Sequence, residues 1–227
     1  MSIELKREDY DWGGLDMDGT LTDSETELHR LLGEACDFIS KKYNIHIPNL
    51  YKPAMCSSNV YDDWIKEAPF KSFPGLRGML REEARTLYLE NRERFFVEEG
   101  GFKLFPDVEP FLDLLLTHFE NIILVTSNHR IYADAFLKQN GLDISSIAKE
   151  DVDNIKPHPE PYRKAANIGE NDPSRGLVFE DTWQGALSAV SLGVKTIIFR
   201  GKEIPEELKE YDNIICVQSF NEITFAA

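Results

Sequence analysis

The 227-residue sequence contains few cysteines and no long apolar stretch. Its three cysteines, Cys36, Cys56 and Cys216, are far apart and do not show the spacing of a metal site. No run approaches the roughly 18 apolar residues that a membrane-spanning helix needs. The first eleven residues are polar and charged, unlike a secretory signal. We therefore expect a cytoplasmic protein with no membrane partner, whose thiols are buried or half-buried.

Positive charge is also scarce, because 25 Lys and Arg residues stand against 40 Asp and Glu residues. The resulting net charge of −15 repels phosphate backbones, which disfavours nucleic acid as a partner. An anionic small molecule is not excluded, since a bound divalent cation and one lysine can reverse the sign of the field inside a pocket. We expect a small-molecule ligand; the sequence leaves the oligomeric state open, and a monomer is compatible with it.

From Phe105 onward, short apolar runs alternate with segments of helical periodicity. The runs Ile122–Val125, Leu177–Phe179 and Val194–Phe199 have the composition of buried parallel strands. Helices are predicted between and beside them at about 110–116, 129–140, 161–167 and 182–192. This alternation predicts an α/β fold with a Rossmann-like parallel sheet.

Residues 23–101 have a different sequence pattern, with apolar residues at helical spacing and many charged residues between them. No strand is predicted in this segment. We interpret it as an all-helical domain inserted after the first strand. The predicted domains are a core of residues 1–22 and 102–227 and a helical cap domain of residues 23–101.

The segment 16–23 brings two carboxylates, Asp16 and Asp18, close together before Gly19. One carboxylate can act as a nucleophile and metal ligand while the other donates or accepts a proton. A solvated acidic turn is the alternative interpretation, because Asp and Gly are favoured in turns.

Two further clusters carry groups that bind phosphate. Thr126, Ser127 and Asn128 follow the clearest strand, where a hydroxyl and backbone N–H groups can hold phosphate oxygens. An N-cap for the next helix is the alternative. Lys156 is followed by Pro157 and Pro159, which fix the backbone around a single cation, although most lysines only solvate a surface.

Glu180 and Asp181 follow the run Leu177–Phe179, where carboxylates can ligate a hard cation such as Mg²⁺. Helix capping is again the alternative. Together, the four clusters supply carboxylates for a metal, a carboxylate nucleophile, a hydroxyl and a lysine, which is a set suited to phosphoryl transfer.

In these motifs the sequence resembles the haloacid dehalogenase-like superfamily, in particular its subgroup of phosphoglycolate phosphatases and β-phosphoglucomutases, whose members carry a helical cap. The resemblance covers the whole predicted α/β part. The matching motifs are Asp16-x-Asp18-Gly19-Thr20, Thr126, Lys156-Pro157 and Glu180-Asp181.

The resemblance implies that Asp16 attacks phosphorus and binds Mg²⁺. It implies that Asp18 protonates the leaving oxygen, later deprotonates water, and binds Mg²⁺ through its backbone carbonyl. The resemblance also implies that the phosphate is bound by Thr126, Ser127, Asn128 and Lys156. Asp181 is the remaining metal ligand, and Glu180 supports it.

The implied function is Mg²⁺-dependent hydrolysis of a small phosphorylated metabolite. A phosphomutase has the same core residues and stays open as an alternative, as does a non-catalytic binder of phosphorylated ligands. A dehalogenase is disfavoured because Asp18 is present. Substrate choice belongs to the cap in this family, and no pattern among its cations and aromatics, such as Arg77, Arg81 and Trp64, selects a substrate.

Two departures from the family pattern concern local structure. Gly13 and Gly14 interrupt the strand that precedes Asp16, and glycine weakens the interior of a strand. The histidine that β-phosphoglucomutase-like sequences place twelve residues after the first aspartate is replaced by Leu28. His29 is one step further round a helix, so we interpret it as a surface residue.

Overall fold

The structure, a computed structural model, describes residues 2–47, 75, 77–199 and 206–226. The chain divides into two compact units. Met1–Asp23 and Phe102–Ala227 form the core unit, and Ser24–Gly101 form the helical unit. No helix in the described ranges is long and apolar enough to cross a membrane.

The core unit is built on a parallel sheet of six strands, which confirms the predicted fold class. Its strands, in chain order, are β2 (Trp12–Leu15), β3 (Ile122–Val125), β4 (Ser145–Ile147), β5 (Gly176–Glu180), β6 (Lys195–Phe199) and β7 (Ile214–Val217). Their spatial order is β4-β3-β2-β5-β6-β7. The order therefore reverses at β2, with β3 on one side and β5 on the other, and the carboxyl end of β2 lies at a topological switch point.

Two further strands, β1 (Ile3–Lys6) and β8 (Ile223–Ala226), pair in parallel as a separate two-stranded sheet. Each has an alternating or mixed pattern of burial rather than a continuous apolar run. Neither strand was predicted from the sequence.

Among the described residues of the core unit, four α-helices connect strands of the sheet. They are α3 (Val108–His118), α4 (Arg130–Gln139), α5 (Glu160–Ile168) and α6 (Trp183–Val190). All four were predicted to within a few residues. The hydroxyl of Thr182 caps α6 by accepting a hydrogen bond from the Gly185 backbone N–H at 3.2 Å, so capping does occur beside the predicted metal ligands.

The helical unit contains α1 (Ser24–Tyr43) and α2 (Arg77–Glu93), which is followed by a π-helical turn at Arg94–Glu98. In α2 the buried residues Leu80, Ala84 and Tyr88 recur at every fourth position and form one face. Strand is absent from the described residues of this unit. His29 is half-buried in α1, and Trp64 and Cys56 lie outside the described residues.

The two other cysteines have the environments predicted for structural thiols. Cys36 is buried in α1, and this burial raises the pKa of its thiol to about 12. Cys216 is half-buried, and burial raises the pKa of its thiol as well. Both thiols stay protonated at neutral pH and are poor nucleophiles.

The consecutive glycines do not prevent strand formation, since all four residues of β2 are buried and pair with β3 and β5. Larger neighbours fill the space of the missing side chains. The end of the Ile122 side chain occupies the position that a Cβ on Gly13 would take. A Cβ on Gly14 would lie 3.0 Å from Val178 and 3.1 Å from the ring of Tyr162.

Candidate active site

The predicted site residues of the core unit meet at the carboxyl edge of the sheet. Asp16 directly follows β2, Thr126 follows β3, and Glu180 ends β5. Because these strands are parallel neighbours, their carboxyl ends lie side by side. Asp16 also extends the pairing of β2, since its backbone N–H donates to the Phe179 carbonyl at 3.0 Å.

The Asp16 carboxylate is buried and hydrogen-bonded on both oxygens. Its Oδ1 accepts a hydrogen bond from Lys156 Nζ at 2.7 Å, and its Oδ2 accepts one from the hydroxyl of Thr20 at 3.2 Å. The exposed fraction of Asp16 is 8%, and Thr20 is completely buried. The carboxylate is therefore fixed in orientation while part of it still faces solvent.

Lys156 is held by three acceptors at once. Besides Asp16, its Nζ donates to Glu180 Oε1 at 2.6 Å and to the Val125 carbonyl at 2.7 Å. Burial opposes the charged form of Lys156, but the carboxylates of Asp16 and Glu180 outweigh it and raise the pKa of the ammonium above its usual value. An ammonium has three protons, so contact with a phosphate oxygen requires Lys156 to exchange one of these bonds.

Glu180 is fully buried beside Lys156. Its Oε1 accepts hydrogen bonds from Lys156 and from the hydroxyl of Tyr162, the latter at 2.5 Å. Its Oε2 is buried and accepts no hydrogen bond from the described residues. Burial and the nearby charge of Asp16 raise the pKa of Glu180 to about 7, although Lys156 and Tyr162 oppose the shift.

Gly19 allows the loop after β2 to pass next to Asp181. Its φ of +81° lies in the left-handed region, and a Cβ at this position would come closer than 3 Å to the Asp181 carboxylate. The Thr20 hydroxyl lies 3.4 Å from Asp181 Oδ1 as well as 3.2 Å from Asp16 Oδ2. Thr20 therefore links the two aspartates.

Asp18 is connected to the loop after β3. The side-chain amide of Asn128 donates to Asp18 Oδ2 at 3.2 Å. The Asn128 backbone N–H in turn donates to Thr126 Oγ1 at 3.0 Å. Ser127 is half-buried between them. The structure thus brings the predicted acid–base group and the predicted phosphate-binding segment into contact.

The backbone N–H groups at the start of α4 already have partners inside the protein. The Asn128 N–H donates to Thr126, the His129 N–H donates to the Asn128 side chain, and the Arg130 N–H donates to Glu150. Protein side chains thus satisfy these three groups, but the N-cap of α4 is His129 rather than one of the predicted residues Thr126, Ser127 and Asn128. The hydroxyl of Thr126 retains an O–H donor that a phosphate oxygen can accept.

Three carboxylates form a group that could hold a metal ion. Ligand atoms of Asp16, Glu180 and Asp181 all lie within 4.8 Å of one another. This all-oxygen donor set fits a hard cation such as Mg²⁺. The buried Oε2 of Glu180, which accepts no hydrogen bond from the described residues, also fits a nearby cation. The side chain of Asp18 is outside this group.

The geometry can be compared with known proteins. The sequence model of the haloacid dehalogenase-like hydrolase family matches residues 14–193, from β2 through the end of α6. The chain belongs to this family. The match includes every predicted site residue of the core unit, so the resemblance inferred from the four motifs is confirmed.

Relatives of this haloacid dehalogenase-like hydrolase include a Bacillus subtilis protein named "Putative phosphatase YhcW", which is 30% identical over 82% of each chain. A predicted phosphoglycolate phosphatase from Haemophilus somnus has a TM-score of 0.68 at 19% identity, covering 93% of this chain and 95% of the other. CbbY from Rhodobacter sphaeroides, solved with xylulose-1,5-bisphosphate, has a TM-score of 0.66 at 16% identity, covering 95% and 97%. The protein is an enzyme of the phosphatase type, as predicted.

Two residues of this hydrolase site were not assigned a role from the sequence. Thr20 belongs to the first motif, and its single hydroxyl proton faces Asp16 at 3.2 Å and Asp181 at 3.4 Å. Tyr162 has no place among the four predicted motifs, although it donates to Glu180. The position of Thr20 next to Asp18 and Gly19 was a signal, but the contacts of both residues depend on elements distant in the chain.

The loop that carries Lys156 is tied to α5 by Glu160. The Glu160 carboxylate accepts hydrogen bonds from the backbone N–H groups of Asp153 and Asn154, both at 3.0 Å, and pairs with Lys164 at 2.9 Å. Hydrogen bonds, first of all from the Asp153 N–H, lower the pKa of Glu160 from 4.5 to about 2. The charged form is therefore the one that holds the loop.

This arrangement predicts a pH dependence of stability. A carboxyl whose pKa is lower in the folded state contributes stability above its unfolded pKa and loses it as pH falls towards the folded pKa. We expect Glu160→Gln to lower Tm at neutral pH, and the Tm difference from wild type to shrink as pH falls from 4.5 towards 2. Thermal melts across this range measure it, with the exposed Glu82→Gln as the control. A Tm difference that stays constant with pH would contradict the assignment.

Proposed function

We propose that the protein hydrolyses a small organic phosphate monoester with the help of Mg²⁺, through an aspartyl-phosphate on Asp16. The observation that carries this proposal is the placement of Asp16. Its carboxylate lies at the switch point of the sheet, oriented by Lys156 and Thr20, with a group of further carboxylates beside it.

In the first half of the proposed reaction, an oxygen of Asp16 forms a bond to phosphorus and the ester P–O bond breaks. Asp18 donates its proton to the leaving oxygen, which departs as an alcohol. In the second half, Asp18 removes a proton from water, the water oxygen bonds to phosphorus, and the bond between phosphorus and Asp16 breaks. Inorganic phosphate is released, and both aspartates return to their starting states.

The charge balance of the site supports a divalent cation. Three carboxylates, Asp16, Glu180 and Asp181, lie around the single ammonium of Lys156. When all are ionised, this group has a net charge of −2, which repels an anionic substrate. Asp16 and Asp181 with the backbone carbonyl of Asp18 would hold Mg²⁺, which when bound supplies charge neutralisation to the phosphoryl group.

Phosphate binding is assigned to Lys156 and to the loop after β3, the strand on the other side of β2 from β5. Thr126 offers its hydroxyl proton, and Ser127 and Asn128 continue the same loop. Asn128 also orients Asp18, because its amide donates to the Asp18 carboxylate. Lys156 neutralises charge next to the nucleophile and can exchange one of its hydrogen bonds for a phosphate oxygen.

The proposed substrate is a small phosphorylated metabolite, and the proposed location is the cytoplasm. We further propose that the helical unit, Ser24–Gly101, selects the substrate. A phosphomutase would use the same core residues but would require a sugar bisphosphate and return little free phosphate.

Phosphate release from a panel of small phosphomonoesters tests the proposal. We expect turnover with Mg²⁺, loss of turnover when EDTA removes the metal, and at least a ~10³-fold lower kcat in Asp16→Asn. Asp113→Asn, on the helix α3, is a matched control that should keep wild-type kcat. Turnover that is unaffected by EDTA, or by Asp16→Asn, would contradict the proposal.

A further inference from the structure

Tyr162, in α5, is completely buried next to the catalytic groups. Its ring lies against Gly14 of β2, so close that a Cβ on Gly14 would be 3.1 Å from the ring. The Lys156 Nζ lies over the same ring, 5.0 Å from its centroid. The ring thus occupies the space left by the glycine and provides an electron-rich face for the ammonium.

The hydroxyl of Tyr162 has a specific partner. It donates to Glu180 Oε1, the same oxygen that accepts a hydrogen bond from Lys156. Glu180 Oε2 accepts none from the described residues. The orientation of the Glu180 carboxylate therefore depends on two donors at one oxygen, and Tyr162 is the neutral one.

The contacts form a chain that ends at Asp16. The Tyr162 hydroxyl donates to Glu180, which in turn accepts a hydrogen bond from Lys156. Lys156 also donates to the Val125 carbonyl and to Asp16. If the Tyr162 hydroxyl is removed, the Glu180 carboxylate loses one of its two donors and can rotate. The Lys156 ammonium would then follow Glu180, and the Asp16 carboxylate would keep Thr20 at Oδ2 but lose the fixed partner at Oδ1.

We propose that Tyr162 is a positioning residue of this enzyme, whose hydroxyl fixes Lys156 through Glu180 and thereby orients Asp16, and that Gly14 makes room for it. The proposal deepens the proposed function and rests on it, because orientation of Asp16 matters for phosphoryl transfer. Tyr162 itself does not touch the reacting atoms in this scheme.

Tyr162→Phe tests the proposal because it retains the ring and removes only the hydroxyl. We expect kcat for the best phosphomonoester to fall by roughly 10- to 100-fold, with KM changed by less than about threefold. Tyr10→Phe makes the same change in a buried tyrosine that precedes the opposite end of β2, and should keep wild-type kcat.

A double-mutant cycle tests the route through Glu180. If Tyr162 acts through Glu180, its effect on kcat should largely disappear once Glu180→Ala, which leaves no acceptor for the hydroxyl, is present. Additive losses in the double variant would overturn the proposed route, because they would mean that the two side chains act independently.

A spectroscopic readout separates this proposal from the proposed function. The ammonium of Lys156 has three acceptors and little exposure, so its protons should exchange slowly and give a resolved nitrogen-15 NMR signal. Lys156→Arg identifies the signal by its loss. We expect Tyr162→Phe to shift or broaden it and Tyr10→Phe to leave it in place.

An unchanged signal in Tyr162→Phe would overturn the proposal whatever happens to kcat. If the wild type released no phosphate from any ester while Tyr162→Phe still moved the signal, the proposed function would fail and the positioning of Lys156 by Tyr162 would stand. An unchanged signal together with wild-type kcat would overturn the positioning and leave the phosphatase intact.

Discussion

Lys156→Met is expected to lower kcat by about 10³-fold and to destabilise the folded protein by about 3 kcal/mol. The side chain of Lys156 is only 6% exposed and is the ion-pair partner of both Asp16 and Glu180. Without the ammonium, two buried carboxylates would face each other with no cation from the protein between them. Phosphate-release kinetics and urea denaturation in the absence of divalent metal measure the two effects.

The matched control is Lys164→Met, eight residues further along the chain. Lys164 is 42% exposed and pairs with Glu160 at the surface, where an ion pair contributes about 0–1 kcal/mol. We expect wild-type kcat and a small change in stability. If Lys156→Met kept kcat within about tenfold of wild type, Lys156 would not be part of the catalytic machinery.

Gly185→Ala is expected to lower kcat by about 10²-fold and to destabilise the protein by about 1–3 kcal/mol. A Cβ at this position would come closer than 3 Å to three atoms of the Glu180 carboxylate. The carboxylate cannot simply move aside, because Lys156 and Tyr162 hold its Oε1 in a fully buried site. The methyl group should therefore displace Glu180 and, through the hydrogen bonds of Lys156, also disturb Asp16.

Gly78→Ala provides the comparison for this substitution. Gly78 is exposed near the start of α2, and a Cβ there would meet no atom within 4 Å. Because alanine favours helix, we expect this variant to be as stable as wild type or more stable by up to about 1 kcal/mol. Equal melting temperatures and kcat values for the two glycine variants would show that Glu180 can relocate without consequence.

The parts of the fold that could be predicted are those in which burial leaves a local pattern. Strands β3, β5 and β6 are fully or almost fully buried in the sheet, so their sequences are continuous apolar runs. Strand β4 is a three-residue edge strand with only one buried residue, so it has no such run. The short strands β1 and β8 gain their stability from pairing across more than 200 residues, which no local pattern reveals.

Strand β2 shows why local propensity can mislead. Gly13 and Gly14 predict a weak strand, yet β2 is central and fully buried. Its glycines are matched by large side chains, Ile122 and Tyr162, that come from β3 and α5. The compensation lies in residues more than 100 positions away, so it appears only once the fold is known.

The features of the site also differ in whether they could be predicted from the sequence. Asp16, Thr126 and Glu180 could be placed together from the sequence because each follows a predicted parallel strand. The hydrogen bonds among them could not, because they depend on side-chain orientation. Thr20 and Tyr162, which fix Asp16 and Glu180, illustrate this limit.

The most direct test of a covalent Asp16 intermediate is to stop the reaction with acid during turnover and map the phosphoryl group by peptide mass spectrometry. We expect the peptide containing Asp16 to gain the mass of one phosphoryl group in wild type, on Asp16 rather than Asp18, and no gain in Asp16→Asn. Phosphate release at full rate with no phosphoryl group on Asp16, or with the group on another residue, would contradict the mechanism.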